Sequence, residues 1–219
     1  MDLDCDLILP CRDEALALPA LLARVPQGMG TVVVDNGSTD GTGDVAQALG
    51  ARVVVEDRPG YGAAVQAGVR GATAEYVAVM DGDGSLDPAE LTALLADVAE
   101  GRATMAVGRR RPVARGVIPW HARLFNLLAV RWISWRTGLR LGDIPSVRVC
   151  RRTDLLALGV EDLRFGYPVE VVVRAHRAGW RITEHEVTYR PRAEGTTSKV
   201  SGSVLGSARA ARDLLRALP

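Results

Sequence analysis

The sequence predicts an α/β fold in which a mostly parallel central sheet carries helices on both faces. Three observations point there. Short Val-rich runs recur along the first half, each followed by a segment of helical character. The runs are apolar almost throughout rather than alternating, as strands buried on both faces are. They end in Asp- and Gly-rich turns, and open α/β sheets bind ligands outside the carboxyl ends of their strands.

The elements follow in order. Residues 6–10 (DLILP) form a short apolar strand, and the Ala/Leu-rich segment 15–24 reads as a helix. Residues 31–35 (TVVVD) are a β-branched strand followed by a helix over 40–49, which Asp40 is placed to cap. A third strand covers 52–56, with a helix near 63–71. A fourth covers 75–80, and the helix over 88–100 opens with Pro88 in its first turn. Residues 103–108 give another strand. The second half is less regular: a helix over 118–137, a strand over 147–151, a helix over 167–178, a strand over 181–189, a Gly/Ser/Thr-rich loop over 195–206 and a short final helix. In the segment 118–137, Trp120, Trp132 and Trp135 interleave with Arg123, Arg131 and Arg136. It reads either as a helix lying against a membrane surface or as one packed across the domain with solvated arginines. Its Trp residues are expected to be core or interface anchors.

The 219 residues show no internal repeat and no linker long enough to separate domains, so a single domain over 1–219 is expected. A net charge of +1 creates no global field for nucleic acid, and none is expected as a partner. Basic residues cluster locally at Arg109, Arg110, Arg111 and Arg115, and later at Arg190, Arg192 and Lys199, which suits local anion binding. Cys5, Cys11 and Cys150 lack metal-ligand spacing; Cys5 and Cys11, flanking a strand, read as small core hydrophobes, and a reduced compartment is expected. The acidic start and the lack of a 20-residue apolar run predict a cytoplasmic protein, soluble or resting on the inner face of a membrane. His121, His176 and His185 are scattered and read as structural or surface groups.

The chemistry gathers at the turns. Strand 75–80 runs into Asp81-Gly82-Asp83-Gly84-Ser85. Two clustered carboxylates can hold a hard divalent cation that keeps room for phosphate oxygens. The same residues also make an ordinary turn. A calcium loop is excluded by Leu86 and Thr92 at its sixth and twelfth places, and by the strand before it. In Asp35-Asn36-Gly37-Ser38-Thr39-Asp40-Gly41-Thr42, Asp35 sits at a strand end suited to accept hydrogen bonds from a ribose or base; a capped turn accounts for the rest. Gly60-Tyr61-Gly62 lacks the third glycine of the dinucleotide fingerprint, and no Gly-Lys-Ser/Thr phosphate loop is present.

Together with Leu9-Pro10-Cys11-Arg12-Asp13-Glu14, these motifs stand in an order that resembles family 2 glycosyltransferases of the GT-A fold, the nucleotide-diphospho-sugar transferase fold. The resemblance is greatest to the branch of polyprenyl-phosphate sugar synthases and spans essentially the whole chain. It implies a metal-dependent, inverting hexosyltransferase. Residues 1–110 would be the nucleotide-sugar-binding half and 111–219 the acceptor-side half. Pro10, Arg12 and Glu14 match the loop lining the nucleotide pocket, Asp35 the acid contacting the nucleoside, and Gly60 and Gly62 a further donor-side turn. Asp81 and Asp83 match the metal motif for Mg²⁺ or Mn²⁺, with Asp83 the more direct ligand; Ser85 stands where relatives often carry Gln. Arg110 falls on a basic residue near the phosphates. Asp143-Ile144-Pro145-Ser146-Val147-Arg148 resembles the segment shaping the acceptor side, with Val147 where an aromatic is usual. Glu170 matches an acid facing the acceptor and is the candidate general base. Arg192 and Lys199 match a basic loop of polyprenyl-phosphate synthases, here one residue longer than its tightest versions. The expected partners are a nucleotide-diphosphate sugar and a lipid-phosphate or small-molecule acceptor, with peripheral membrane contact. A soluble transferase for small acceptors and a nucleotide-sugar-binding module without turnover are the alternatives.

Overall fold

The computed structural model describes residues 4–192. Among them, β1 (Cys5–Cys11), α1 (Leu18–Leu22), β2 (Gly30–Asp35), α2 (Thr42–Ala48), β3 (Arg52–Val55), α3 (Tyr61–Gly71) and β4 (Tyr76–Met80) alternate strictly. A 3₁₀ turn (Pro88–Glu90) leads into α4 (Leu91–Ala99) and β5 (Met105–Pro112). Then come α5 (Trp120–Thr137), β6 (Val147–Arg151), α6 (Arg152–Ala157), α7 (Tyr167–Arg177) and β7 (Ile182–Tyr189). The strands form one seven-stranded sheet in the order β3-β2-β1-β4-β6-β5-β7. All pairs are parallel except those of β6, which runs antiparallel to both β4 and β5.

Period-2 alternation sends side chains to two cores. Leu7, Leu9, Val33 and Met80 pack with α1 and α4 residues Leu18, Leu91 and Leu94 on one face. Ile8, Val32, Val79 and Val107 pack with Val65, Val171 and Ala175 of α3 and α7 on the other. Both faces being covered explains the unbroken Val runs. The chain builds outward from β1 through β2 to β3, then returns to place β4 on the opposite side of β1. That reversal opens a crevice above the carboxyl ends of β1 and β4.

Several expectations need correction. Helix α1 is shorter than 15–24 because Pro19 belongs in its first turn, so the helix starts at Leu18. Strand β5 extends to Pro112 because it pairs with β7 as far as Tyr189, and this ribbon overhangs β6, which stops pairing at Gly108. Asp40 does not occupy the cap position, which Gly41 takes in the left-handed region at φ 82°. Asp40 instead accepts from Thr42 N at 3.0 Å. The helix α6 has no counterpart in the sequence reading. Trp120 and Trp135 are not core anchors, being 76% exposed each, and only Trp132 packs inward. Lys199, the loop over 195–206 and the final helix lie outside the described residues.

Candidate active site

The crevice holds a cavity of about 370 Å³. One wall is the end of β1 and the loop after it, which supply Pro10, Arg12 and Glu14. Its course is fixed by the neighbouring loop after β2. Asp13, in the left-handed region at φ 56°, takes Thr39 N on its carboxylate at 2.8 Å. Its own N–H donates to Ser38 Oγ at 3.0 Å. Glu14 N donates to Thr42 Oγ1 at 2.9 Å and Ala15 N to Asp40 Oδ2 at 3.0 Å. The Ser-Thr-Asp-Gly-Thr run is thus a brace for the β1 loop.

Asp35 does not line the cavity. Its Oδ1 closes a local turn by accepting Ser38 N at 2.8 Å. The adjacent Asn36 does line it, and the sequence reading missed its role. Asn36 Nδ2 donates to the carbonyls of Glu56 at 2.7 Å and Arg58 at 2.8 Å, while Oδ1 accepts Gly60 N at 2.9 Å. One amide therefore joins the ends of β2 and β3 to the start of α3. Gly60 reaches the cavity, but Gly62 does not. A Cβ on Gly62 would lie 2.2 Å from the Asp162 carbonyl oxygen, and one on Gly60 2.1 Å from that of Leu163. The Gly-x-Gly turn is a close backbone crossing with residues 162–164, sealed by Ala63 N donating to Leu163 O at 3.0 Å.

Beside the end of β1, Asp81 and Asp83 enter the cavity from the end of the adjacent strand β4. Asp83 is buried, with Oδ1 accepting Ser85 N at 2.9 Å and Ser85 Oγ at 2.6 Å. Its Oδ2 faces Arg192 Nε at 3.0 Å. Arg192 reaches this point because Arg190 N, just past β7, donates to Ser85 O at 2.8 Å. Desolvation and the neighbouring Asp83 charge both push Asp81 above the usual carboxylate range, against Arg192, Arg148 and Arg110. A pair of hard oxygen donors whose joint ionisation is strained fits a divalent cation. Among the described residues no third Asp, Glu, His or Cys joins them. A bound metal would therefore leave coordination positions for phosphate oxygens and water.

Arg110 also lines the cavity, at the root of the β5–β7 overhang. Asp143, which is buried, grips it in a fork: Nε to Oδ2 and Nη2 to Oδ1, both 2.7 Å. Its guanidinium carbon lies 5.5 Å from the Tyr189 ring centre. Arg148 is fully buried behind Tyr61, donating from Nη2 to Tyr61 Oη at 2.8 Å. It sits between Tyr61 and Tyr167, at 5.9 and 5.6 Å from their ring centres. A charged residue inside a Val run was the sequence signal for it.

The second half of the chain brings a largely apolar lining. It comprises Phe125 of α5, Ile144 and Pro145 before β6, and Phe165 and Pro168 around the start of α7, with the polar Asn126 and Ser146 among them. None of the three histidines is among the lining residues. His185 Nε2 lies 2.7 Å from Asp97 Oδ2, and His176 Nε2 3.0 Å from Thr137 O.

Glu170 does not reach this cavity. Its two oxygens accept Glu161 N at 3.0 Å and Asp162 N at 2.7 Å, and Oε1 pairs with Arg174 Nε at 2.6 Å. The carboxylate anchors the 158–164 segment to the first turn of α7, where the macrodipole favours an acid. Glu170→Gln is expected to cost about 2 kcal/mol of stability in urea unfolding, with kcat within twofold of wild type. A general base would instead lose about a hundredfold or more in kcat.

Comparison with known proteins places this architecture. The family model described as "Glycosyl transferase family 2" matches residues 6–155. An uncharacterized glycosyltransferase of Mycobacterium tuberculosis, Rv0539, is 52% identical over 91% of this chain and 91% of its own. An undecaprenyl-phosphate mannosyltransferase of Micrococcus luteus is 34% identical over 92% of this chain and 89% of its own. Among solved structures, glucosyl-3-phosphoglycerate synthase of M. tuberculosis, in complex with Mn²⁺, UDP and glucosyl-3-phosphoglycerate, superposes with a TM-score of 0.75. It is 19% identical, covering 98% of this chain and 78% of that one. Mannosyl-3-phosphoglycerate synthase of Rubrobacter xylanophilus gives 0.79 at 16% identity, covering 98% and 72%. These likenesses establish the GT-A fold.

Proposed function

The chain belongs to glycosyl transferase family 2, and from that premise we propose that it moves a hexosyl group from a nucleoside-diphosphate sugar to the phosphate of a polyprenyl phosphate, with inversion. The observation that carries this reading is the mixed lining of the cavity. Its charged residues, Glu14, Asp81, Asp83, Arg110 and Arg192, suit a diphosphate; its apolar residues Phe125, Ile144, Pro145 and Phe165 suit an isoprenoid next to its phosphate. Apart from Arg192, the charged lining comes from residues 1–110, and the lining from 111–219 is largely apolar, which supports a donor half and an acceptor half. The undecaprenyl-phosphate mannosyltransferase of M. luteus and the polyprenol monophosphomannose synthase of Mycolicibacterium smegmatis, the latter 32% identical over 90% of this chain and 80% of its own, support the acceptor class.

In the proposed reaction an acceptor phosphate oxygen attacks the anomeric carbon from the face opposite the diphosphate. The glycosyl–oxygen bond breaks and its electron pair leaves with the nucleoside diphosphate through a cation-like transition state. A phosphate acceptor is ionised near neutral pH and needs no proton removed. That agrees with Glu170 being committed elsewhere. Arg110, oriented by Asp143, and Arg192, held at Asp83, place fixed positive charge where the leaving group gains its negative charge. A Mg²⁺ or Mn²⁺ ion held by Asp81 and Asp83 would supply further positive charge to the same diphosphate oxygens.

The test uses uridine and guanosine diphosphate hexoses labelled in the sugar, with polyprenyl phosphate as acceptor. Label is expected in the organic phase, abolished by EDTA and restored by Mg²⁺ or Mn²⁺. Label that stays in water as a small glycoside overturns the lipid acceptor. Donor binding by calorimetry without product for any acceptor overturns catalysis.

A further inference from the structure

Helix α5 is apolar on two opposite faces. The inner face packs Phe125, Ala129, Trp132 and Ile133 into a core with α7. The outer face carries Trp120, Leu124, Leu127, Leu128 and Trp135, which are 76, 47, 54, 58 and 76% exposed. Their spacing of i, i+4, i+7, i+8 and i+15 places them on one stripe. A helix that is apolar on a second, outer face has that face left to cover, and an exposed apolar stripe of this extent marks a docking surface.

The chemistry of the stripe selects its occupant. Within α5 the charged residues are Arg123, Arg131 and Arg136, with no Asp or Glu over its 18 residues. Arg123 and Arg131 are exposed on or beside the stripe, and exposed Arg115 and Arg140 extend the positive charge beyond each end of the helix. A Trp stands near each end of the stripe, the placement that anchors helices at the headgroup level of a bilayer. No helix among the described residues is long and apolar enough to cross a membrane, so α5 would lie flat.

We propose that the outer face of α5 docks on the surface of an anionic lipid bilayer, with the Trp and Leu stripe in the acyl boundary and the arginines on lipid phosphates. The opposite side of the same helix supplies Ala122, Phe125 and Asn126 to the cavity. Docking would therefore hold the apolar wall of the cavity within one helix diameter, roughly 10 Å, of the lipid. The inference rests on the surface of α5 alone and not on the identity of the acceptor.

The experiment is flotation of the full chain with vesicles of phosphatidylcholine alone or mixed equally with phosphatidylglycerol, in the absence of sugar nucleotide and polyprenyl phosphate. Binding to the anionic vesicles is expected, with a blue shift of Trp emission and weakening as salt is raised. The double variant Leu124→Glu/Leu128→Glu is expected to lose at least about tenfold in vesicle affinity while its melting curve stays that of wild type. No flotation, or equal binding to neutral vesicles, overturns the proposal. So does a soluble dimer that the same double variant dissociates, since a second copy would then cover the stripe. Because no donor is present, failure here leaves the transfer reading standing, and a failed transfer assay leaves this one standing.

Discussion

Asp83→Ala is expected to lower kcat/KM for sugar transfer by about a thousandfold or more. Two losses combine. The carboxylate is one of the two oxygen donors that enter the cavity from the end of β4, and it also holds Arg192 through the 3.0 Å contact with Nε. Removing it leaves Asp81 alone against a diphosphate and frees Arg192 from its anchor. The fold is affected less. Ser85 loses an acceptor for its N–H and hydroxyl, a cost of about 1–3 kcal/mol. Asp83→Asn separates the two effects: its amide oxygen can still accept from Ser85 N, but the charge is gone. It should match alanine in lost activity and wild type in melting temperature. Titration of Mn²⁺ against the labelled-transfer assay checks this. Full activity in either variant would refute the metal role of Asp83.

The parts of this site that were legible in the sequence are those whose cause is local. A Val-rich strand ending in two acids is a local pattern, and Asp81 and Asp83 stand where it puts them. The end of β1 with Pro10, and the loop after it with Arg12 and Glu14, were legible for the same reason. What was hidden depends on partners far along the chain. Asn36 matters because its amide meets residues 56, 58 and 60, which no pattern around position 36 announces. Glu170 looks like an acid aimed outward from a helix start, but the loop at 161–162 folds back onto it. Strand β6 was found as a strand, yet its antiparallel insertion between β4 and β5 is set by pairing with residues about 70 and 45 positions away. Trp120 and Trp135 share the period of a core stripe, and periodicity says that a face is apolar without saying what covers it.

Gly62→Ala is expected to destabilise the fold even though it removes a glycine from a helix. Gly62 lies within α3, where helix propensity alone favours alanine over glycine by about 1 kcal/mol. The added Cβ, however, would stand 2.2 Å from the Asp162 carbonyl oxygen and 2.8 Å from the Leu163 carbonyl carbon. Both are backbone atoms of a segment that Glu170 fixes in place, so no side chain can swing aside. The crossing must open, and the bonds from Gly62 N to Arg164 O at 3.2 Å and Ala63 N to Leu163 O at 3.0 Å weaken with it. Overpacking of this kind costs about 3 kcal/mol, which outweighs the propensity gain and predicts a melting temperature lower by roughly 4–8 °C. Tyr61 lines the cavity and accepts from Arg148, so the same shift should also raise the KM for donor. Gly43→Ala is the control, since in α2 its Cβ would meet only side chains, the nearest being Asp35 Oδ2 at 3.1 Å. Urea unfolding of the two variants should give opposite or widely separated shifts. A Gly62→Ala protein as stable as wild type, yet weakened for donor alone, would restore the reading of Gly62 as part of a donor-side turn.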